Sequence, residues 1–330
     1  MKRAAIIGLG DISGVHLEAI VSNPQIQLCA VCDIDSSKKP ELEVPFYTDY
    51  REMADREKPD CVHLCLPHYL HYPVAKEMAQ RGIHIFCEKP AALDSRQGEE
   101  FVRLEEKYPG LHMGICLQNR VNRSTEMLKK IIDSGEYGKV TGTRGIVLWS
   151  RPAEYYAAKP WRGLWRTAGG GCMINQAVHT LDLLYYLGGT IRSVRAGTCQ
   201  LLDYGIEVED TVSARLYYEN GAVGLFTASN ANYGNTPVEI AVRMEKAEFM
   251  IRGSALYRIE SNGKQTEILQ DEQRAGEKFY YGNSHQKLIH QFYRALETDG
   301  DYIHVKDSLM SLKLIDAIQN ASRFGTRMDV

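Results

Sequence analysis

The amino-terminal third of the chain alternates short, continuously apolar runs with amphipathic stretches, and this alternation limits the fold more than any other feature. Strands are expected at Arg3–Gly8, Gln27–Asp33, Cys61–Leu66, Ile83–Cys87 and Leu111–Cys116. Helical patterns lie between them at Ser13–Ser22, Tyr50–Glu57, Tyr72–Arg81 and Ser95–Tyr108. A strand that is apolar at every position, with no alternation, is buried on both faces. That is the habit of parallel sheets, whose crossover helices cover both sides. The expected fold here is α/β, a doubly wound parallel sheet.

Gly8-Leu9-Gly10-Asp11-Ile12-Ser13 falls between the first strand and the first helix. Glycines there permit a tight turn and let the backbone approach a pyrophosphate facing the helix N-terminus. Ser13 replaces the third glycine of the usual fingerprint, with Gly14 following it. The placement in the first strand–turn–helix unit makes this a Rossmann-type dinucleotide site. Asp33 closes the second strand, where a carboxylate accepts hydrogen bonds from adenosine ribose hydroxyls and repels a 2′-phosphate. This favours NAD over NADP, although Lys38 and Lys39 stand nearby.

The pattern then changes. A helix at Arg123–Ser134 precedes a strand starting near Lys139, and a loop rich in Trp, Arg and Gly leads into a helix from Cys172 to Leu187. Strands follow at Ile191–Gln200, Thr211–Tyr218, Ala222–Ala228, Val238–Met244, Ala247–Ile251, Ala255–Ser261 and Gln265–Leu269. Turn signals such as Glu219-Asn220-Gly221 and Ser261-Asn262-Gly263 make several of them antiparallel hairpins. Helices at His285–Glu297 and Lys306–Phe324 close the chain. The expected division is a nucleotide-binding domain over 1–120 and an α+β domain with a large, mostly antiparallel open sheet over 121–330.

Composition narrows the class. The net charge is −3, with 44% hydrophobic and 25% charged residues, so there is no electrostatic footprint for nucleic acid or an anionic membrane. The apolar stretch at the N-terminus is interrupted by Asp11 and is too short for a signal peptide, and no run is long enough to span a bilayer. A cytoplasmic protein is expected. Cys29 and Cys32 are three apart on a strand and therefore face opposite sides. Like Cys61, Cys65, Cys87 and Cys116, they read as small core side chains in a reducing compartment.

Two further strand ends should face the cofactor, because open α/β sheets bind ligands at the carboxyl ends of their strands. One is Cys65-Leu66-Pro67-His68, with His71 at the start of the next helix; the other is Cys87-Glu88-Lys89-Pro90. A lysine at such a place can donate to a substrate hydroxyl or carry its proton, although it can equally be a solvated loop residue. In the second half, Ile174, Ala177, Val178, Leu181 and Tyr185 form an apolar helical stripe after Gly169-Gly170-Gly171. Asn175, His179 and Asp182 form a polar one, suited to a cleft wall. His179 has the titration range for acid–base work near neutrality, or it is a satisfied interdomain histidine. Asn175, His179 and Asp182 make a poor metal set, and no metal is expected.

These residues together resemble the glucose–fructose oxidoreductase/inositol dehydrogenase (Gfo/Idh/MocA) family. The resemblance rests on GLGDIS, CDID, Glu88-Lys89-Pro90, GGGCMINQAVHTLD and Tyr281-Gly282-Asn283-Ser284-His285, and covers essentially the whole chain. It implies an NAD(P)-dependent dehydrogenase acting on the secondary alcohol of a sugar, glycoside or cyclitol. It places Lys89 beside the nicotinamide and substrate and makes His179 an acid/base. Many relatives have Asp where this chain has Asn175, so Lys89 should lose some support for its charged form; Asn175 is then expected to orient the substrate hydroxyl.

Gly8, Gly10, Asp11, Ile12, Ser13, Asp33, Leu66, Pro67, His68, His71, Glu88, Lys89 and Gln118 are the expected cofactor contacts. Arg120 and Asn122, with Asn119 beside them, follow the last strand of the parallel sheet. Tyr155, Tyr156, Trp161, Arg162, Trp165 and Arg166 precede the glycines. With His285, these are candidates for the sugar, because aromatic and Arg side chains stack on rings and hydrogen-bond hydroxyls. The Trp residues can equally pack the domain interface. Two other functions compete: NAD-dependent glycoside cleavage by transient oxidation and elimination, and a non-catalytic NAD-bound sugar sensor, which Asn175 favours. A homodimer or homotetramer through the C-terminal sheet is expected.

Overall fold

The computed structural model describes residues 1–272, 283–298 and 300–330. Tyr281 and Gly282 of the tail motif lie outside the described residues. The chain forms two compact units, Met1–Gln118 with Ser284–Leu309, and Asn119–Asn283 with Met310–Val330. The first break falls after Gln118. The membership of residues 284–309 in the first unit was not expected, and it transfers His285 out of the C-terminal domain where the sequence had placed it.

In the first unit β1 (Lys2–Ile7), β2 (Ile26–Cys32), β3 (Phe46–Tyr47), β4 (Cys61–Leu64), β5 (His84–Cys87) and β6 (Met113–Ile115) form one sheet in the order β3-β2-β1-β4-β5-β6. Every neighbouring pair is parallel. Its helices are α1 (Ser13–Val21), α2 (Tyr50–Glu57), α3 (His68–Gln80) and α4 (Ser95–Lys107). Register lines up the strand ends: Ile7 pairs with Cys32 and Leu64, and Cys87 pairs with Leu64 and Ile115. The turns after β1, β2, β4 and β5 therefore leave the sheet at one level, and strand order reverses between β1 and β4. Ile7, Val62, Leu64, Ile85, Phe101 and Ile115 are almost completely buried in the core. Each such side chain contributes roughly 1.5–3 kcal/mol relative to exposure.

Local chemistry sets the helix starts. The Asp49 and Asp94 carboxylates accept from the backbone N–H of Arg51 and Gln97, both at 2.7 Å, and so cap α2 and α4. Helix α3 begins at His68, four residues before the expected Tyr72. Pro73 is accommodated inside the helix.

The second unit holds α5 (Arg123–Asp133), β7 (Val140–Leu148), α6 (Ala153–Ala157), α7 (Trp165–Ala168), α8 (Cys172–Asn175) and α9 (Val178–Gly188). After them come β8 (Ile191–Cys199), β9 (Thr211–Tyr218), β10 (Val223–Ser229), β11 (Glu239–Met244), β12 (Glu248–Arg252), β13 (Ala255–Ile259), β14 (Gln265–Gln270) and β15 (Met328–Asp329). The sheet order is β14-β13-β12-β11-β7-β10-β9-β8-β15. Only β7 and β10 run parallel in it. Helices α5 and α9 pack against it. Gly145 on β7 allows the approach of α9, since a β-carbon there would lie 2.7 Å from Thr180 Cγ2. Helices α10 (Asn283–Ala295) and α11 (Val305–Phe324) follow β14.

The single helix expected from Cys172 to Leu187 is two. The Cys172 carbonyl accepts from both Gln176 N at 3.1 Å and Ala177 N at 2.9 Å, which widens one turn and separates α8 from α9.

Candidate functional site

The first turn has the geometry of a dinucleotide cradle. Gly8 adopts φ +94°, and a β-carbon on it would meet the Cys65 carbonyl oxygen at 2.5 Å. Its N–H donates to Cys32 O at 2.8 Å, which fastens the turn to the end of β2. Gly10 has the opposite surroundings: a β-carbon there meets nothing within 4 Å. That open space is what close approach of a pyrophosphate requires. No side chain caps the N-terminus of α1 at Ile12, and its first turn holds no acidic residue, so the local field favours an anion. Ser13 is turned inward, its hydroxyl donating to Gly10 O at 2.7 Å. Asp11 is exposed beside it.

Asp33 ties the first two strand ends together. Its Oδ2 accepts from Leu9 N at 2.7 Å and its Oδ1 from Asp35 N at 2.9 Å. Lys38 Nζ stands 3.1 and 3.2 Å from the two oxygens. The carboxylate is thus oriented at the carboxyl end of β2, and an ammonium flanks it.

At the next strand ends, His71 joins the loops after β4 and β5. Its Nδ1 lies 2.6 Å from Pro90 O and its Nε2 2.8 Å from Leu66 O. Both contacts are hydrogen bonds only when the ring carries two protons. Burial pushes its pKa down, against the pull of the two carbonyls. His71 therefore braces the Lys89–Pro90 segment, whose peptide is cis. Leu66 and Pro67 precede α3, and His68 is buried at its first position. The Lys89 N–H donates to Glu88 Oε2 at 3.2 Å. Glu88 itself is buried and receives His16 Nε2 on Oε1 at 2.9 Å. Burial would raise this carboxyl, but the hydrogen bond and charge of His16, with His285 and Lys89, hold it well below the usual range. Gln118 is buried, 3.7 Å from Cys116 Sγ. His285, also buried, stands on α10 in this same unit.

In the second unit the third of the three glycines is a matter of space rather than flexibility. A β-carbon on Gly171 would lie 1.7 Å from Glu209 O. The Glu209 carboxylate accepts from Gly171 N at 2.9 Å and Met173 N at 3.1 Å, and Cys172 N donates to Glu209 O at 3.0 Å. Beyond this anchor, Asn175 Nδ2 and Gln176 Nε2 donate to the Tyr155 hydroxyl at 3.0 and 2.9 Å. Asn230 Nδ2 reaches Gln176 Oε1 and the Tyr156 hydroxyl, both at 3.0 Å. The Arg162 guanidinium lies 4.0 Å from the Tyr155 ring centre. Asn175, Tyr155, Tyr156 and Arg162 thus belong to one polar and aromatic cluster.

Other candidates stand differently. The expected stripe of Asn175, His179 and Asp182 is split by the widened turn. Asn175 turns to Tyr155, and Asp182 is buried against Arg120, with Nε–Oδ2 at 2.8 Å and Nη2–Oδ1 at 2.7 Å. Asp182 is therefore a pairing group inside the unit and not part of a cleft wall, and the forked donors of Arg120 are committed to it. His179 is half-buried in the first turn of α9. Asn122 is the N-cap of α5, without a side-chain capping bond. Trp161 is partly buried, and the Trp165 indole donates to Glu207 O at 2.9 Å while 42% of the residue is exposed.

Sequence reasoning missed Glu209 and Asn230. For Glu209 a signal existed: an acidic pair, Glu209-Asp210, set directly against an apolar strand. For Asn230 there was none, because a lone Asn after a strand reads as a turn residue.

Residues 2–113 match the family model described as "Oxidoreductase family, NAD-binding Rossmann fold". Residues 125–250 match the "GFO/IDH/MocA C-terminal domain". D-glucoside 3-dehydrogenase of Escherichia coli (strain K12) is 26% identical over 245 residues, 67% of this chain and 68% of that protein. Myo-inositol 2-dehydrogenase of Thermotoga maritima is 26% identical over 247 residues, 70% of each. The WlbA dehydrogenase from Bordetella pertussis, solved with NADH and UDP-GlcNAcA, is 29% identical with a TM-score of 0.86 and covers 100% of this chain and 98% of its own.

Proposed function

Because the chain belongs to the GFO/IDH/MocA family of NAD-binding oxidoreductases, we propose that it reversibly oxidises a secondary alcohol on a sugar, glycoside or cyclitol. The carrying observation is that both halves match this family while the first turn keeps open backbone at Gly10 and an oriented carboxylate at Asp33. Similar proteins named for a glucoside and an inositol, and one solved with UDP-GlcNAcA, support the substrate class.

Bound nicotinamide supplies the hydride acceptor at C4. The chain does the rest. Gly8, Gly10 and the N-terminus of α1 bind the pyrophosphate, and Asp33 takes the ribose hydroxyls. Glu88 and His71 hold the Lys89 segment by its backbone. Lys89 and His179 share the proton work: one removes the hydroxyl proton as hydride leaves carbon, and a positive side chain steadies the oxygen as its charge develops. Asn175, with its amide nitrogen fixed on Tyr155, orients the hydroxyl. Tyr156 and Arg162 contribute the hydroxyl-binding and stacking surface, together with Trp161, Trp165, Asn122 and His285. Arg120 acts through Asp182 as a positioning residue.

The test is incubation with NAD and a panel of sugars, inositols, glycosides, sugar acids and UDP-sugar acids, followed at the NADH absorbance. Turnover with at least one is expected. Lys89→Met and His179→Ala should each lower kcat by about 10²–10⁴-fold. Tight NAD binding with no turnover across the panel would overturn the reading. Asn175→Asp should not raise kcat greatly; a large rise would show that Asn is not suited to the native reaction.

We also propose a homodimer or homotetramer formed through the open face of the β7–β14 sheet, where Arg144, Leu225 and Arg215 stand side by side in register. Light scattering on the purified protein decides it. A cytoplasmic location suits the eight free cysteines, seven of them buried.

A further inference from the structure

The first unit buries four titratable side chains in one hydrogen-bonded row, and hydride chemistry as proposed above uses none of their protons. Glu88 follows β5, His16 stands on α1, His63 on β4 and Tyr293 on α10. None is more than 5% exposed. Glu88 Oε1 lies 2.9 Å from His16 Nε2, His16 Nδ1 lies 2.8 Å from His63 Nδ1, and His63 Nε2 lies 2.9 Å from the Tyr293 hydroxyl. Taking so many polar groups out of water is costly unless every contact is satisfied.

With Glu88 ionised and His63 neutral, proton counting leaves two arrangements. Exactly one proton can lie between the two Nδ1 atoms. When His16 is neutral, its Nε2–H donates to Glu88, His63 Nδ1–H donates to His16 Nδ1, and Tyr293 O–H donates to His63 Nε2. When His16 is charged, it donates from both nitrogens, and His63 donates from Nε2 to the Tyr293 oxygen. Passing from the first to the second needs one proton from water. The His63 Nδ1 proton moves to His16 Nδ1, the Tyr293 proton moves to His63 Nε2, and the incoming proton restores the Tyr293 hydroxyl. Only N–H and O–H bonds change, no electron is transferred, and the row gains one positive charge.

The groups facing the row are consistent with a single mobile proton. Burial pushes His63 well below its ordinary range, so it is neutral in both arrangements. From α10, His285 is likewise pushed down to about 4 by burial. Just after β6, the Cys116 thiol stands within 4.8 Å of the His16 and Glu88 ligand atoms. Burial holds it, with Cys65 and Cys87, protonated. Cys61 faces the Tyr293 hydroxyl and is pushed up to about 12. Lys89 is the cation next to Glu88, and the His16 ring is the group hydrogen-bonded to its Oε1.

We propose that the Glu88–His16–His63–Tyr293 row is a proton store whose filling follows the charge of the bound nicotinamide. The proposal rests on the reading above that puts Lys89, the residue after Glu88, beside the nicotinamide. The oxidised ring is a cation and the reduced ring is neutral. A cation beside Glu88 opposes a charged His16, whereas a neutral ring does not. NADH binding should therefore take up more protons than NAD⁺ binding.

Titration calorimetry of NADH and NAD⁺ in phosphate and in Tris gives the proton number for each cofactor. Between pH 6 and 8 the two should differ by on the order of half a proton, so the NADH-to-NAD⁺ affinity ratio falls about threefold per pH unit. His16→Gln keeps a donor for Glu88 but cannot ionise, and should abolish the difference. If it does not fold, Tyr293→Phe breaks the last link and should move the pH at which the difference is greatest. Equal proton numbers in the unaltered protein, or a difference that survives both variants, would overturn the store. Sugar turnover with equal proton numbers would sink the store alone; a proton difference without turnover would sink only the proposed reaction.

Discussion

Gly171 and Glu209 are in contact backbone to backbone, so closely that a β-carbon on Gly171 would lie 1.7 Å from the Glu209 carbonyl oxygen. The same glutamate fixes the turn with its carboxylate, through the N–H groups of Gly171 and Met173. The segment that delivers Asn175 is therefore anchored from β9's leading end, not held by its own helix alone.

Gly171→Ala should lower stability by about 3 kcal/mol or more, because backbone on both sides has to move. Gly10→Ala is the contrast. Its methyl meets nothing within 4 Å, so stability should change by less than ~0.5 kcal/mol, while NAD affinity falls at least about tenfold through loss of pyrophosphate approach. Thermal unfolding and NAD titration of the two variants check this; equal stability losses would refute it.

Glu209 should make stability depend on pH. Burial raises its carboxyl to about 7, although the backbone N–H groups of Gly171 and Met173 oppose the rise. The folded state then binds a proton that the unfolded chain has already released. The contribution is complete below the unfolded pKa of about 4.3 and is lost as pH rises through about 7, on the order of 3 kcal/mol in all. Urea midpoints across that window should fall less steeply in Glu209→Gln than in the unaltered protein. Parallel slopes would show that Glu209 does not titrate there.

Breaking the buried Arg120–Asp182 pair from one side should cost about 3–5 kcal/mol, because either change leaves an uncompensated charge. Arg120→Met together with Asp182→Leu should be milder than either single change. Denaturant unfolding of the three variants gives the order; a double variant worse than both singles would contradict it.

Asp33→Ser should shift cofactor preference. It removes the carboxylate that repels a 2′-phosphate and releases the Lys38 ammonium now 3.1 Å from Oδ2. The ratio of NADP to NAD affinity should rise about tenfold or more, and adding Lys38→Ala should reverse much of the gain. Fluorescence titration with both cofactors measures it.

Much of this was legible in the residues alone. The mostly apolar, non-alternating runs at β1, β4 and β5 are buried on both faces, and that pattern by itself calls for a parallel sheet between helices. Gly8 announces the turn because only glycine tolerates its φ and its crowding, and Gly10 because its open backbone leaves room for a pyrophosphate. Asp33 could be read because local chain geometry fixes where β2 ends.

The tertiary structure decided what depends on partners far away in the chain. Glu209 lies 38 residues from Gly171, Asp182 lies 62 from Arg120, and Tyr293 lies 230 from His63. No local pattern encodes such pairings, since a buried polar group is settled by whichever partner the folded chain brings within hydrogen-bond reach. The break between α8 and α9 has the same origin. Periodicity asked for one helix, and the anchor on Glu209 with the doubly accepting Cys172 carbonyl made it two.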